Sequence, residues 1–161
     1  MIESMNGGIV FFEVQDWEHE LLTKAFPDAT LVEDKLSPDN VNDYADAEII
    51  STFVYSNCSP EVLTNLPKLK LIATRSTGFD HIDTDYCKEK NITVSNVPEY
   101  GSNTVAEHTF ALILSLTRKI YQSVSQAKQL NFDHEQIRGI DLFGKTLGVI
   151  GLGKIGINVL R

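Results

Sequence analysis

The chain has 161 residues, a formal net charge of −8, 42% hydrophobic residues and 22% charged residues. That length suits one domain and a piece of another, with enough apolar content to fill a core. The acidic balance argues against nucleic-acid binding and against an anionic membrane surface, both of which need a basic face.

The opening "MIESMNGG" has no signal-peptide pattern. The most apolar stretch, Phe110 to Leu116, is too short to span a bilayer. A cytoplasmic protein is expected, and Cys58 and Cys87, which form no CxxC, are expected to be free thiols.

In chain order, "GIVFFEV" (Gly8–Val14) reads as a first strand. "DWEHELLTKAF" reads as a helix with Asp16 as N-cap and Trp17, Leu21, Leu22 and Ala25 on one face. "ATLVE" is a weak second strand and "AEIISTFV" (Ala47–Val54) a third. "SPEVLTNL" starts a short helix, with Ser59 as cap and Pro60 at its first position. "LKLIATRS" (Leu69–Ser76) is a fourth strand, "DTDYCKEKN" a helix ending near Asn91, and "ITVSNV" (Ile92–Val97) a fifth strand. Five strands with helical connections predict an α/β fold, a flavodoxin-like parallel sheet of order 2-1-3-4-5 with helices on both faces.

After Pro98 the pattern changes. Asn103 to Gln129 reads as one long helix, capped by Ser102 or Asn103, with Glu107 in its early turns. Phe110 to Leu114 is apolar on every side, as in a helix buried between two layers. It is expected to bridge two domains, residues 1–101 and residues 102–161. A polar connection then leads to a terminal strand, Thr146 to Ile150.

That strand runs into Gly151-Leu152-Gly153-Lys154-Ile155-Gly156, a G-x-G-x-x-G turn opening a helix. The motif is weak alone, but a preceding strand and a following helix give it meaning. Gly151 permits the tight turn, Gly153 lets a pyrophosphate approach, and Gly156 allows close helix–strand packing. The amides of Lys154 and Ile155 would face the phosphates. The ribose-gripping acidic residue belongs ~20 positions further on, and the sequence given stops at Arg161.

Ligands of open α/β sheets sit beyond the carboxyl ends of the strands. Two loops there stand out. In "RSTGFDHID" (Arg75 to Asp83), Ser76-Thr77-Gly78 can form an anion nest of backbone N–H groups, with Asp80 fixing the turn. An ordinary turn with Gly78 at positive φ fits the residues equally well. In "NVPEYGSNTVAEH" (Asn96 to His108), Tyr100 stands either at a cleft mouth or as a packed surface aromatic. Among the histidines, His19 and His134 read as solvated, His81 follows a tight turn, and His108 reads as structural. None makes a general base, and no metal-ligand spacing or nucleophile elbow is present. A receiver-like reading fails because Glu13 and Asp16 match its acidic pair poorly and Phe53-Val54-Tyr55 offers no aspartate.

"LKLIATRSTGFDHID", "ITVSNVPEYGSNTVAEHTFALIL" and "IRGIDLFGKTLGVIGLGKIG" together resemble the D-isomer-specific 2-hydroxyacid dehydrogenases, nearest their D-lactate dehydrogenase branch. The resemblance implies NAD-dependent interconversion of a 2-oxo acid and a D-2-hydroxy acid. It implies that Thr77 and Gly78 bind the substrate carboxylate through backbone N–H groups, that Tyr100 lies in the substrate pocket and that Val105 lines the nicotinamide site. Lys154 and Ile155 match the positions whose amides meet the pyrophosphate, within the cofactor-binding turn of Gly151, Gly153 and Gly156. Phe53 and Tyr55 are candidates to border the pocket. The family's catalytic arginine, acidic residue and histidine are implied downstream of the glycine turn, so no residue here takes those roles.

The chain is therefore expected to be the substrate-domain portion of such an enzyme, cut within its NAD-binding domain and inactive alone. The alternative is a non-catalytic interaction or regulatory module derived from the family. The apolar bridging helix would drive formation of a homo-oligomer, a dimer or larger.

Overall fold

The structure is a computed structural model that describes residues 8–161. All but one residue of "MIESMNGG", read above for signal-peptide character, lies outside the described residues. The chain divides into two compact units, the first ending at Tyr100 and the second running from Gly101 to Arg161.

In the first unit, β1 (Gly8–Phe11), α1 (Asp16–Ala25), β2 (Thr30–Leu31), β3 (Ala47–Thr52), α2 (Pro60–Leu63), β4 (Leu71–Thr74), α3 (Thr84–Glu89) and β5 (Thr93–Ser95) alternate, with one 3-10 turn at Val41–Tyr44. The five strands form one sheet of order β2-β1-β3-β4-β5, and every pairing is parallel. The expected fold class and strand order are present. Register aligns Val10 with Ile50, Ile50 with Ile72 and Ile72 with Val94. That row faces α2 and α3, and Phe12, Leu36, Val62, Leu63, Cys58 and Cys87 complete a buried cluster with it. The opposite face of β1 packs Phe11 and Val14 against Leu22 of α1. A sheet covered on both faces needs near-continuous apolar strands, which is how β3 and β4 read.

Local chemistry explains where the elements end. Gln15, not Asp16, is the N-cap of α1. Glu18 reaches back to accept the Gln15 N–H at 2.9 Å, half of a capping box. The buried side of α1 is Glu18 and Leu22; Trp17 and Leu21, one helical turn apart, stay exposed. Asp83 caps α3 by accepting the Tyr86 N–H at 2.8 Å, and Asn91 at φ 56° ends it. Strand β3 stops at Thr52 rather than Val54 because the amides beyond it turn towards a carboxylate described below.

The second unit holds α4 (Ser102–Thr117), α5 (Ile120–Lys128) and α6 (Lys154–Leu160). The single helix expected over Asn103–Gln129 is broken in two, with Lys119 at φ 56°. Ile140 N–H donates to the Thr117 carbonyl at 2.7 Å, taking an acceptor that a continuous helix would use four residues later. Gly139 makes this approach possible, since a Cβ there would overlap the Thr117 carbonyl oxygen. Gly101 is the N-cap of α4, and neither Ser102 nor Asn103 caps it; Asn103 instead donates to the Glu107 carboxylate at 2.8 Å.

Within α4 only Ala106 is buried. Phe110, Leu112, Leu114 and Leu116 are exposed, so the segment read as buried on all sides presents its apolar surface here, and His108 is exposed with it. No strand forms at residues 146–150. A strand exists only by pairing, and none of the described strands lies alongside this segment. No described helix is long and apolar enough to cross a membrane.

Candidate functional site

The carboxyl ends of the five strands of the first unit enclose a cavity of 880 Å³. Its walls come from the segment after each strand: Trp17 of α1 after β1, Asp34 and Lys35 after β2, Phe53 and Tyr55 after β3, Arg75 after β4, and Val97 and Tyr100 after β5. Tyr100, Tyr55 and Trp17 are 64%, 74% and 77% exposed. Tyr100 lines this cavity together with Phe53 and Tyr55. A wall so rich in exposed aromatic surface is suited to an apolar ligand group with a few polar contacts.

The one arginine lining the cavity is committed elsewhere. Arg75 Nε donates to Glu18 Oε1 at 3.2 Å, Nη1 to the Ser51 carbonyl and hydroxyl at 3.3 and 3.1 Å, and Nη2 to the carbonyls of Phe12 and Glu13 at 2.8 and 3.0 Å. All three guanidinium nitrogens are engaged, and the Arg75 and Glu18 side chains are only 20% and 11% exposed. Arg75 joins the ends of β1 and β3 to α1. It leaves no fork for a substrate carboxylate.

Glu13 is the second buried charge, 6% exposed. Its backbone sits at φ 58°, a left-handed conformation costing about 1–2 kcal/mol for a residue with a Cβ. Its carboxylate accepts five hydrogen bonds: from the amides of Phe53 (3.0 Å), Val54 (3.1 Å), Tyr55 (2.8 Å) and Ser56 (3.0 Å), and from Ser56 Oγ (2.5 Å). Burial pushes the Glu13 carboxyl up. The Ser56 hydroxyl and the amides of Tyr55, Phe53 and Ser56 outweigh it and hold the group below the ordinary glutamate value, so it is ionised at neutral pH. Sequence reasoning weighed Glu13 only as half of an acidic pair and missed this role. The available signal was a lone acid inside the apolar run Phe11-Phe12-Glu13-Val14.

Thr77 and Gly78 follow β4 on an exposed turn. They do not line the cavity but adjoin it, since Thr77 Oγ1 donates to the Val97 carbonyl at 2.9 Å. Asn96 Nδ2 donates to the Thr77 carbonyl at 2.8 Å. Ser76 Oγ donates to the Gly78 carbonyl at 2.7 Å, and this bond, rather than Asp80, fixes the turn. Gly78 is not at the positive φ that the ordinary-turn alternative gave it. Among the described residues no acceptor lies on the Thr77 or Gly78 N–H. His81 Nε2 lies 3.3 Å from Thr52 Oγ1 and 3.5 Å from Thr74 Oγ1. Burial lowers its pKa despite the opposing charges of Glu13 and Asp80, which favours the neutral imidazole at neutral pH.

In the second unit, Val105 lies on α4, 46% exposed. Gly151 takes φ 93°, Gly153 is the extended N-cap of α6, and Lys154 and Ile155 are its first residues. A Cβ on Gly156 would overlap the Gly151 carbonyl oxygen. The turn is thus folded tightly enough that only glycine fits there, as a pyrophosphate-binding turn requires.

This site and fold carry a family signature. Residues 9–136 match the family model described as "D-isomer specific 2-hydroxyacid dehydrogenase, catalytic domain", and the chain belongs to that family. It is similar to the D-lactate dehydrogenase of Escherichia coli strain K12, 40% identical over 116 residues that cover 71% of this chain and 35% of that protein. A 2-hydroxyacid dehydrogenase homolog of Zymomonas mobilis is 32% identical over 154 residues, covering 92% of this chain and 46% of its own length. Among solved structures, the D-lactate dehydrogenase of Aquifex aeolicus complexed with NAD and lactic acid superposes with a TM-score of 0.88 at 42% identity, covering 94% of this chain and 46% of that one. The chain spans about a third to a half of the length of the relatives it matches.

Proposed function

We propose that this chain serves the NAD-dependent interconversion of a 2-oxo acid and a D-2-hydroxy acid, of the lactate type, by supplying the substrate-side loops and the glycine turn. The carrying observation is the pair of Thr77 and Gly78 amides, lacking any acceptor among the described residues beside a cavity walled by Phe53, Tyr55 and Tyr100. Two backbone N–H groups on one turn suit a carboxylate, which needs local donors in a chain of net charge −8. Tyr100 and its aromatic neighbours would hold the substituent on C2. A resemblance at 42% identity to a structure holding NAD and lactic acid supports the ligand classes.

The glycine turn fits a dinucleotide. Gly151 and Gly156 close the turn, Gly153 leaves room for a pyrophosphate, and the amides of Lys154 and Ile155 would meet it, with Val105 towards the nicotinamide. NAD, when bound, supplies hydride exchange with C2 of the substrate. The residues of this chain bind and orient; none of them is assigned the proton transfer.

Calorimetric titration with pyruvate in the presence of NADH tests this reading. Saturable binding that is lost in Thr77→Pro, which removes one donor, and weakened in Tyr100→Ala supports it. No binding of pyruvate or any larger 2-oxo acid up to the millimolar range, about 4 kcal/mol of affinity, overturns it. The exposed apolar surface of α4 and α5, including Leu112, Leu116 and Val124, would associate the chain into a homodimer or larger assembly. A clean monomer by light scattering at ~50 μM, well above the micromolar affinity scale, counts against that assembly.

A further inference from the structure

We propose that Glu13 is a positioning residue for the cavity: its carboxylate sets the backbone of Phe53–Ser56, and through it the two aromatic side chains that receive the substituent of the substrate. The proposal deepens the reading above and rests on it.

Three observations converge on this carboxylate. The first is the five-donor arrangement, in which Oε1 accepts Val54 and Tyr55 N–H while Oε2 accepts Phe53 N–H, Ser56 N–H and Ser56 Oγ–H. Four successive amides pointing at one group define the course of that segment almost completely, because each fixes a peptide plane. The second is the cost accepted to place the group. Glu13 holds φ 58°, with its own N–H donated to the Asp34 carbonyl at 3.0 Å and its carbonyl accepting from Arg75 at 3.0 Å. Strain held in place by surrounding bonds is a mark of a site that must be aimed. The third is the reach of Ser56. Its hydroxyl donates to Glu13 and accepts the Leu36 N–H at 3.1 Å, so the loops after β1, β2 and β3 meet at one carboxylate.

What these bonds position is chemical surface. Phe53 and Tyr55 alternate with Val54 and Ser56 along the segment, and both rings line the cavity. Ser56 is 2% exposed and turned into the protein, whereas Tyr55 is 74% exposed. The segment has no strand partner to hold it, because β3 ends at Thr52. Glu13 takes the place of a ladder. The amide isostere cannot replace it: in Glu13→Gln, either orientation of the side-chain amide would aim an NH2 group at two or more N–H or O–H donors. Glu13→Asp is a methylene too short to reach both ends of the segment.

The consequence is a division of labour between carboxylate and side-chain recognition. The Thr77 and Gly78 amides hold what all 2-oxo acids share. The Phe53–Ser56 segment reads what differs between them. Loosening it should penalise a bulky substituent far more than a methyl group.

The test compares wild type, Glu13→Gln and Ser56→Ala. Amide hydrogen exchange at residues 53–56 should accelerate at least ~10-fold in Glu13→Gln, equivalent to about 1.4 kcal/mol of local opening, with smaller acceleration in Ser56→Ala. Amides of Ile50 and Ile72 in the sheet should keep their rates. In calorimetry with NADH present, the Kd for phenylpyruvate should rise ~10-fold in Glu13→Gln while that for pyruvate changes by less than about twofold. A purely structural role would instead speed exchange across the sheet and weaken both acids alike. Unchanged exchange at residues 53–56, or faster exchange with an unchanged phenylpyruvate-to-pyruvate ratio, overturns the proposal. Wild-type protein that binds neither pyruvate nor phenylpyruvate removes the proposed function and leaves the positioning role to be decided by amide exchange at residues 53–56 alone.

Discussion

Replacing Arg75 by methionine tests whether the arginine in the cavity wall belongs to the fold or to the ligand. Methionine keeps the length of the stem and removes every donor. Glu18, its side chain 11% exposed, then becomes an uncompensated buried charge, and the carbonyls of Phe12, Glu13 and Ser51 lose a donor. Removing one partner of a buried pair typically costs 3–5 kcal/mol, so a loss of about 4 kcal/mol is expected. In a unit of this size that lowers the thermal midpoint by roughly 15–30 °C. Arg75→Lys should lose about half as much, because one ammonium cannot span Glu18, Ser51 and the end of β1 together. Adding Glu18→Gln to Arg75→Met should recover about 1–2 kcal/mol, since the stranded charge is gone. Urea unfolding followed by circular dichroism gives these values, and pyruvate affinity is measured on the folded protein. An Arg75→Met variant within about 0.5 kcal/mol of wild type that had lost pyruvate binding would refute the reasoning and make Arg75 a ligand residue.

The two cysteines should be silent in the native state. Burial raises the Cys58 thiol to about 12 and pushes Cys87 up as well, so a thiol reagent near neutral pH should label neither until the chain is unfolded, when both react. Acid should destabilise the first unit in two steps. The His81 pKa is lowered, so its contribution is complete above the ordinary 6.5 and is lost as pH falls through the lower native value. Glu13 is lowered too, and its contribution is present above the ordinary 4.5 and is lost as pH falls through its native value. Stability against pH should flatten in the lower window in Glu13→Gln and in the upper one in His81→Gln. Gly156→Ala, whose Cβ would overlap the Gly151 carbonyl oxygen, should weaken NADH binding by at least ~10-fold. Gly148→Ala, which meets nothing within 4 Å, should leave it unchanged.

Much of the architecture was legible because it is local. Apolar runs separated by capped helical patterns specify five strands, and right-handed parallel crossovers leave few orders for them. The glycine turn was legible from its spacing read together with the helix that follows it. The buried network of Glu13, Glu18 and Arg75 was not, because its members stand far apart in sequence and each looks like an ordinary surface charge. The helix break at Lys119 was hidden for the same reason, since the N–H that takes the Thr117 carbonyl belongs to Ile140, far along the chain. The expected strand at Thr146–Ile150 shows the converse limit: a β-competent sequence states only half of a pairing. Trp17 and Leu21 share an apolar helical pattern with Leu22, yet both stay exposed and Trp17 lines the cavity. Periodicity alone cannot tell a core-facing stripe from a cavity-facing one.

The bond from Ile140 to the Thr117 carbonyl pins both ends of the segment between them. A segment closed in this way is insulated from its own length. Each doubling of a flexible closure costs only about 0.6 kcal/mol, so residues inserted around 131–136, which are exposed, would leave the closure of the unit intact. Residue 139, by contrast, tolerates no added atom. In descendants of this sequence, length should therefore drift in the middle of that connection, while the glycine at its far end stays where it is.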